Sequence, residues 1–219
     1  MMEKLIKKIA DITAEKLGYD EEKAAVISYG LLALSQMLTL LVLSSLIGIV
    51  FGCLLECFIV YLFAGILRKF TGGVHSKTLL GCMVIAVFII GLLGIFSKYA
   101  LIGVFNLLII SKSLYYLVYI AATLLFLPCI ILVYKVAPVE SPNKPIRKPE
   151  KRKKLKKQSI IAVIVLFILV IALLMIAPNN IAFFTAAVAL CVSTIWQCFT
   201  LTKLGHNFIG AIDFIDTKG

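Results

Sequence analysis

Long apolar runs separated by short polar stretches dominate the chain, and this pattern predicts an all-α integral membrane protein. The first run, residues 24–67, is about twice the roughly 20 residues that one crossing needs. It therefore predicts two spans, joined by a tight turn at Ser44-Ser45 or Gly48. Four further spans are predicted at 78–96, 114–136, 160–177 and 181–201. The apolar piece at 101–110 is too short to cross and is typical of an interfacial or re-entrant segment. The expected fold is six transmembrane helices.

Two segments outside these runs have patterns of their own. Residues 2–18 place apolar side chains at helical spacing with charged ones mostly opposite. This is typical of an amphipathic helix in the membrane interface, and equally of one packed on its own protein. From Pro138 to Lys157 the chain is polar, and its spaced prolines predict an extended connector. The expected single membrane domain comprises an amphipathic cytoplasmic segment at 1–23, four spans within 24–136, a basic proline-rich loop at 137–157, two spans within 158–203 and a tail at 204–219.

Composition supports the membrane class, and the distribution of charge predicts the orientation of the chain in the membrane. Of 219 residues, 62% are hydrophobic and 15% are charged, whereas soluble domains have about 45–50% apolar and about 25% charged residues. No cleavable signal peptide is evident, because the first apolar run follows a charged segment and is too long. With six spans, all of the 22 lysines and arginines except Lys98 and Lys112 fall on one side. The positive-inside rule predicts that this side, with both termini, is cytoplasmic.

The net charge of +11 does not indicate nucleic-acid binding, since no stacking aromatics are interleaved with base-reading residues. The basic run at 150–157 has two compatible interpretations. It controls topology and binds anionic lipid headgroups. It also offers a dock for an acidic peptide through four cations: Lys151, Arg152, Lys153 and Lys154.

One polar stretch between spans, residues 68–82, carries candidate chemistry. It reads Arg-Lys-Phe-Thr-Gly-Gly-Val-His-Ser-Lys-Thr-Leu-Leu-Gly-Cys, so that His75 and Cys82 lie close in sequence. An imidazole and a thiol are what nucleophilic catalysis needs, because the imidazole accepts the proton and the thiolate attacks a carbonyl. A histidine and a cysteine in one sequence are also a common coincidence. The choice between a catalytic pair and a coincidence therefore depends on whether the two side chains can meet.

On one straight helix His75 and Cys82 would be separated by about 10 Å of rise, which is beyond hydrogen-bond reach. His75 must therefore fold back over the start of the helix that bears Cys82. Gly72-Gly73 gives the backbone freedom for this reversal. The new helix would be capped by Ser76 or Thr78, which places Cys82 near a helix N-terminus.

The remaining polar and sulfur-bearing positions give weaker signals. Glu56 lies within the first apolar run, where a carboxyl group is costly, and it is either a functional intramembrane polar site or a structural contact. Cys53 and Cys57 are one helical turn apart, but two thiols do not make a zinc site. No metal and no cofactor is expected. Other positions fit packing, interfacial or solvated roles: Cys129, Cys191, Trp196, Gln197, Cys198 and His206.

The stretch 68–82 resembles the signature of the AgrB family, the integral-membrane cysteine endopeptidases that process AgrD, a quorum-sensing propeptide of bacteria. The proline-containing segment from Lys135 to Pro145 resembles the segment after the family's fourth span. The resemblance implies that His75 and Cys82 are the catalytic pair. It implies supporting motif positions at Arg68, Gly72 and Gly73. It also implies the bacterial cell membrane as the location and an AgrD-like propeptide with an acidic C-terminal tail as the partner, with a homodimer as a further candidate assembly.

On this resemblance we expect Cys82 to attack the carbonyl ahead of the propeptide's C-terminal segment, with His75 as base and then as acid. The resulting thioester can pass its acyl group to a cysteine of the peptide and close a thiolactone ring. Arg68, or backbone amides after Gly73, would stabilise the oxyanion. Two other functions stay open: a small peptide transporter or exporter that uses Glu56 as its coupling group, and a membrane-anchored interaction protein that uses only the basic run.

Overall fold

The computed structural model describes residues 2–74, 78–110, 112–140 and 148–212, and within these ranges the secondary structure is helical apart from turns and one isolated backbone bridge. The described helices are α1 Met2–Lys16, α2 Glu21–Val50, α3 Leu54–Thr71, α4 Leu79–Tyr99, α5 Ile102–Ile110, α6 Lys112–Val136, α7 Pro149–Ile176, α8 Ile181–Phe199 and α9 Lys203–Ile212. A short 3-10 turn, Ala177–Asn179, joins α7 to α8. The predicted all-α class is confirmed for the described chain.

Five helical stretches in the described chain are long and apolar enough to cross a membrane: Glu21–Val50, Leu80–Leu107, Tyr115–Val136, Pro149–Asn179 and Ile181–Phe199. The predicted second span corresponds to α3, which is not one of the five. Its 18 residues include three charged side chains, Glu56, Arg68 and Lys69. The count of six spans therefore stays a prediction.

The chain divides into two compact units, of which the first ends at Leu43. Within it, α1 is helical as predicted, and its position in the membrane interface stays a prediction. Gly18, with φ of 65°, lies just beyond the end of α1. The Asp20 carboxylate then accepts a hydrogen bond from the Lys23 N–H at 2.9 Å, which caps the start of α2.

The second unit begins at Ser44, and α8 is its central helix. It packs against α3, α4, α6 and α7. Small side chains on α8 let its neighbours approach closely, because they keep the helix narrow; these are Ala186, Ala187 and Ala189. The apolar core of this unit includes six fully buried side chains: Leu67, Phe126, Val133, Val163, Val170 and Leu190.

In this unit α3, α6 and α8 run in one direction and α4 and α7 in the other, so contacts collect at two ends. At one end, which we call the site end, α3, α6 and α8 finish while α4 and α7 begin. The Val139 N–H, just after α6, donates to the Thr71 carbonyl at 2.8 Å, and the Val74 N–H donates to the Thr200 carbonyl at 3.3 Å. At the other end, the distal end, the Tyr115 hydroxyl donates to the Leu174 carbonyl at 2.7 Å and fastens α6 to α7.

The turn between the first two predicted spans was placed wrongly. The helix α2 continues through Ser44 and Gly48, and the turn is Phe51–Cys53, with Gly52 at φ 65°. Serine and glycine are tolerated in an apolar helix because the helix satisfies its own backbone groups. Gly48 has a packing reason as well, since a Cβ there would lie 2.7 Å from the Leu54 Cα.

The basic run was also assigned wrongly, because it is helical rather than extended. The helix α7 begins at Pro149 and includes residues 150–157. Proline suits the first helical position, where its missing N–H has no partner to lose, and lysine and arginine are good helix formers. Residues 141–147 lie outside the described residues. The tail, for which no helix was predicted, contains α9, and residues 213–219 lie outside the description.

Candidate active site

Cys82 lies close to the beginning of α4, at the site end. The Thr78 hydroxyl oxygen accepts a hydrogen bond from the Gly81 N–H at 3.1 Å, and the Thr78 carbonyl accepts one from the Cys82 N–H at 3.1 Å. Thr78 is therefore the cap, as one of the two sequence alternatives proposed. The Cys82 thiol is free and half-buried. His75 lies outside the described residues, as does Ser76, the other cap candidate.

Arg68 lies in the last turn of α3, and its guanidinium is a cation near this thiol. Its guanidinium donates a hydrogen bond to the Val74 carbonyl. It is also close enough to the Cys82 thiol to interact with it electrostatically. Within the described residues, the recorded ion pairs leave Arg68 without a carboxylate partner. A cation therefore lies near the candidate nucleophile.

The glycine pair after Arg68 is needed for close approach as well as for conformational freedom. Gly72 has φ of 72° and ψ of −147°, and it forms a parallel bridge with Val139. A Cβ on Gly72 would overlap the Val139 carbonyl oxygen. Gly73 has φ of 136°, and a Cβ there would lie 2.9 Å from the Thr200 Oγ1. The chain thus passes between the segment after α6 and the end of α8, where side chains do not fit.

Gln197, on α8, completes this arrangement and was misjudged from the sequence as a packing or interfacial residue. Its Nε2 donates to the Thr71 Oγ1 at 2.9 Å and to the Gly72 carbonyl at 2.8 Å. The side chain is only 2% exposed. Its signal in the sequence is that of an amide within an apolar run, because such a group needs partners when it is buried.

The four docking candidates lie on the first two turns of α7 and are exposed. They are Lys151, Arg152, Lys153 and Lys154. Only Arg152 is tied to the site end, through an ion pair of 3.6 Å with Glu140. Glu140 follows Val139, which bridges Gly72. The first turns of α7 are therefore connected to the site end by the Arg152–Glu140 ion pair and by the bridge between Val139 and Gly72. The other three cations have no recorded carboxylate partner among the described residues.

Glu56 belongs to the distal end and not to the site. It lies in the first turn of α3, is 1% exposed, and accepts a hydrogen bond from the Thr185 hydroxyl at 2.7 Å. The Lys98 Nζ lies 3.4 Å from the same oxygen. Glu56 and Arg68 are 12 residues apart on one helix, which corresponds to about 18 Å. These contacts join α3, α4 and α8, and a functional role for Glu56 stays a prediction.

The other cysteines lie within apolar helices of the described chain or, for Cys53, just before one. Cys53 and Cys57 are buried with their Sγ atoms 3.7 Å apart. Among the described residues, no group of three or more histidine, cysteine, aspartate or glutamate side chains could hold a metal ion. Cys129 and Cys198 are buried in the core between α6 and α8.

The fold and the site together define a class: a helical membrane protein with a thiol and a cation at one end of its bundle. The family model described as "AgrB: Accessory gene regulator B" matches residues 6–201. An AgrB-like protein of Clostridium perfringens (strain 13 / Type A) is 31% identical over 220 residues, covering 100% of this chain and 99% of that relative. An AgrB-like protein of Clostridium perfringens (strain SM101 / Type A) is 32% identical over the same shares. No solved structure matches the chain.

The chain belongs to the AgrB family. Membership links it to the processing of a propeptide in accessory-gene-regulator quorum sensing, with an AgrD-like propeptide as the substrate. The sequence-based identification of the family is thereby confirmed.

Proposed function

We propose that this protein is a membrane cysteine endopeptidase in which Cys82 is the nucleophile and His75 is its base. The observation that carries the proposal is the position of Cys82 on the first turns of α4, within electrostatic range of the Arg68 guanidinium. Catalytic cysteines are often found near a cation and close to a helix N-terminus.

The described residues on both sides of positions 75–77 are held by hydrogen bonds. The N–H of Val74 is held by Thr200 and its carbonyl by Arg68. Thr78 is held as the cap of α4. Val74, the residue before His75 in the sequence, thus has both backbone groups bound, and Thr78, four residues after Val74, begins the helix of Cys82. These two held residues support the proposal that His75 acts on Cys82.

The proposed reaction begins with transfer of the Cys82 thiol proton to the His75 imidazole. The thiolate attacks the carbonyl ahead of the propeptide's C-terminal segment, and the Arg68 guanidinium stabilises the oxyanion that forms. The peptide C–N bond then breaks, and the imidazolium gives its proton to the leaving amine. The remaining peptide is now a thioester on Cys82.

The thioester can still transfer its acyl group, and this transfer is the second half of the reaction. A cysteine thiol of the bound peptide attacks the thioester carbonyl, a thiolactone ring closes, and Cys82 leaves as the thiolate and regains a proton. A site at the membrane boundary limits the access of water and disfavours hydrolysis of the thioester. This proposal therefore makes the cyclic autoinducing peptide the product.

We further propose the arrangement of the chain in the membrane. The helix α3 joins the five long apolar helices as a sixth span, with its one buried carboxylate compensated by Lys98. All lysines and arginines except Lys98 and Lys112 then lie with both termini in the cytoplasm. The exposed basic turns of α7 bind anionic headgroups and dock the acidic tail of the propeptide. A homodimer is compatible with this arrangement.

The rival functions are less well supported. A transporter that couples through Glu56 needs a carboxyl group that can exchange partners, yet Glu56 is buried and bound by Thr185 and Lys98. An interaction protein that used only the basic turns would tolerate changes at Cys82.

The test uses the purified full chain in liposomes with a synthetic propeptide that has an internal cysteine and an acidic tail. We expect Cys82→Ala and His75→Ala to insert normally and to fail to cleave, as read by mass spectrometry. Cys191→Ala is the matched control, since Cys191 is another half-buried helical cysteine, on α8, and it should cleave normally. A propeptide whose internal cysteine is replaced by alanine should accumulate on Cys82 as an adduct that hydroxylamine releases. Cleavage by Cys82→Ala at the wild-type rate would refute the cysteine mechanism.

A further inference from the structure

The side chain of Gln197 lies where α8 meets the end of α3, and the reaction described above gives it no part. Both hydrogen bonds of its amide nitrogen go to neighbouring residues of one short segment, to the Thr71 Oγ1 at 2.9 Å and the Gly72 carbonyl at 2.8 Å. A buried amide is costly unless its N–H groups are bound. The side chain is therefore committed to holding this segment.

The same segment is held at its next residues by the end of α8. The Val74 N–H donates to the Thr200 carbonyl at 3.3 Å. The Thr200 hydroxyl donates back to the Gln197 carbonyl at 2.7 Å, one turn earlier. One turn of α8 thus fixes the backbone at Gly72 and again at Val74.

The backbone held in this way is next in sequence to the groups that are proposed to act in catalysis. Arg68 is four residues before Gly72 and donates to the Val74 carbonyl. Val74 immediately precedes His75 in the sequence. Gln197 itself is fully buried behind this backbone, and among the described contacts its side chain bonds to Thr71 and Gly72 and not to Cys82. It acts on the site through the backbone.

We propose that Gln197 is a positioning residue, which sets the place of the backbone at residues 71–74, the segment between Arg68 and His75 in the sequence. This inference rests on the proposed function. A displacement of about 1 Å in a catalytic group can lower a rate about 100-fold. Loss of the two hydrogen bonds therefore slows the chemistry while leaving the capture of the peptide unchanged.

Gln197→Met tests the proposal, because methionine keeps the length of the side chain and removes both N–H donors. Thr194→Val is the matched control. Thr194 is fully buried on the same helix, and its hydroxyl donates to the Leu190 carbonyl at 2.8 Å, within α8. This control removes a buried hydrogen bond from α8 without touching the segment at 71–74. Gln197→Glu keeps the shape of the side chain and serves if the methionine variant does not fold.

Three measurements are made on each variant in liposomes with the synthetic propeptide. We expect the single-turnover rate of acyl-enzyme formation to fall between about tenfold and 100-fold for Gln197→Met, with an unchanged Kd for the peptide. Hydrogen exchange at Gly72 and Val74 should become faster by about fivefold, the factor that corresponds to one net hydrogen bond of about 1 kcal/mol. Thr194→Val should match the wild type in all three.

The proposal is overturned if Gln197→Met forms the acyl-enzyme at the wild-type rate, or if Thr194→Val loses as much of that rate. It is also overturned if Gln197→Met weakens peptide binding and leaves the rate of chemistry intact. The Cys82→Ala experiment separates this outcome from a failure of the proposed function. If Cys82→Ala still cleaves, the cysteine mechanism is wrong, whereas faster exchange at Gly72 and Val74 reports the loss of the Gln197 contacts whatever the chemistry.

Discussion

Replacing Gly72 by alanine is the sharpest test of how the site is built. The backbone there has φ of 72° and ψ of −147°, close to a region that only glycine occupies readily. The new Cβ would overlap the Val139 carbonyl oxygen and lie 3.0 Å from its carbonyl carbon, nearer than ordinary contact. Because the neighbouring atoms are backbone, no side chain can rotate away to make room.

The magnitude follows from these two effects. The unfavourable backbone conformation costs about 1–3 kcal/mol. Moving the segment after α6 away from Gly72 gives up the hydrogen bond from the Val139 N–H to the Thr71 carbonyl, worth about 1 kcal/mol. The sum is about 2–4 kcal/mol. Because the overlap is with backbone atoms, we expect the segment after α6 to move away from Gly72. A shift of about 1 Å would lower the cleavage rate about 100-fold.

Gly65→Ala is the matched control, because Gly65 lies in α3, the helix that ends just before Gly72, and no atom would come within 4 Å of a Cβ there. Alanine in a helix is favoured over glycine by about 0.5–1 kcal/mol, so this variant should be as stable as the wild type or slightly more so. The assay is the initial rate of propeptide cleavage in liposomes at equal amounts of inserted protein, with thermal unfolding measured in parallel. If Gly72→Ala cleaves as fast as Gly65→Ala, the close approach at Val139 does not matter for the site.

Three further predictions address the basic turns, the topology and the distal end. Changing Lys151, Lys153 and Lys154 to Gln should weaken binding of the acidic tail at low salt and leave the rate at saturating peptide unchanged, since exposed charges act by screened attraction; equal Kd values for mutant and wild type in low salt would exclude the docking role. An impermeant thiol reagent outside the cell should label a cysteine placed at Lys112 or Asn179 and not one placed at Lys77 or Lys153, and outside labelling at Lys153 would contradict the six-span arrangement. Glu56→Gln should lower the free energy of unfolding by about 1–3 kcal/mol, because it leaves Lys98 without its charge partner, while cleavage per folded molecule stays near the wild-type rate; a normal melting temperature with lost cleavage would contradict the structural role of Glu56.

The sequence predicted the helices that begin and end at strong local signals. The bounds of α6 and α8 follow directly from apolar runs that end at charged, proline or asparagine residues. Thr78 was recognisable as a cap because a hydroxyl before an apolar run suits a helix start. The turn at Phe51–Cys53 escaped prediction because its residues are as apolar as their neighbours. In that setting Gly48 and Ser44 looked like stronger breaks, although both are helical.

The part of the site that escaped prediction depends on contacts between distant residues. Gln197 and Gly72 are separated by 125 positions, and nothing local in either stretch indicates the partner. Gly72 and Val139 likewise meet only because α3 and α6 end at the same side of the bundle. The sequence pattern identified the glycine pair as a site of unusual backbone conformation. The glycines are needed because the segments that follow α6 and α8 approach them closely.

The continuous course of α7 has a consequence for how its charges are presented. Its 28 residues extend about 42 Å, while the hydrocarbon core of a membrane is about 30 Å thick. In the proposed six-span arrangement the basic turns are a rigid extension of a spanning helix, so their orientation about the helix axis would be fixed along with their height above the bilayer. Each residue inserted between them and the span would rotate the charges by about 100° and raise them by about 1.5 Å. A peptide that docks there would respond to an insertion with the periodicity of the helix, so that a four-residue insertion would disturb binding less than a two-residue one.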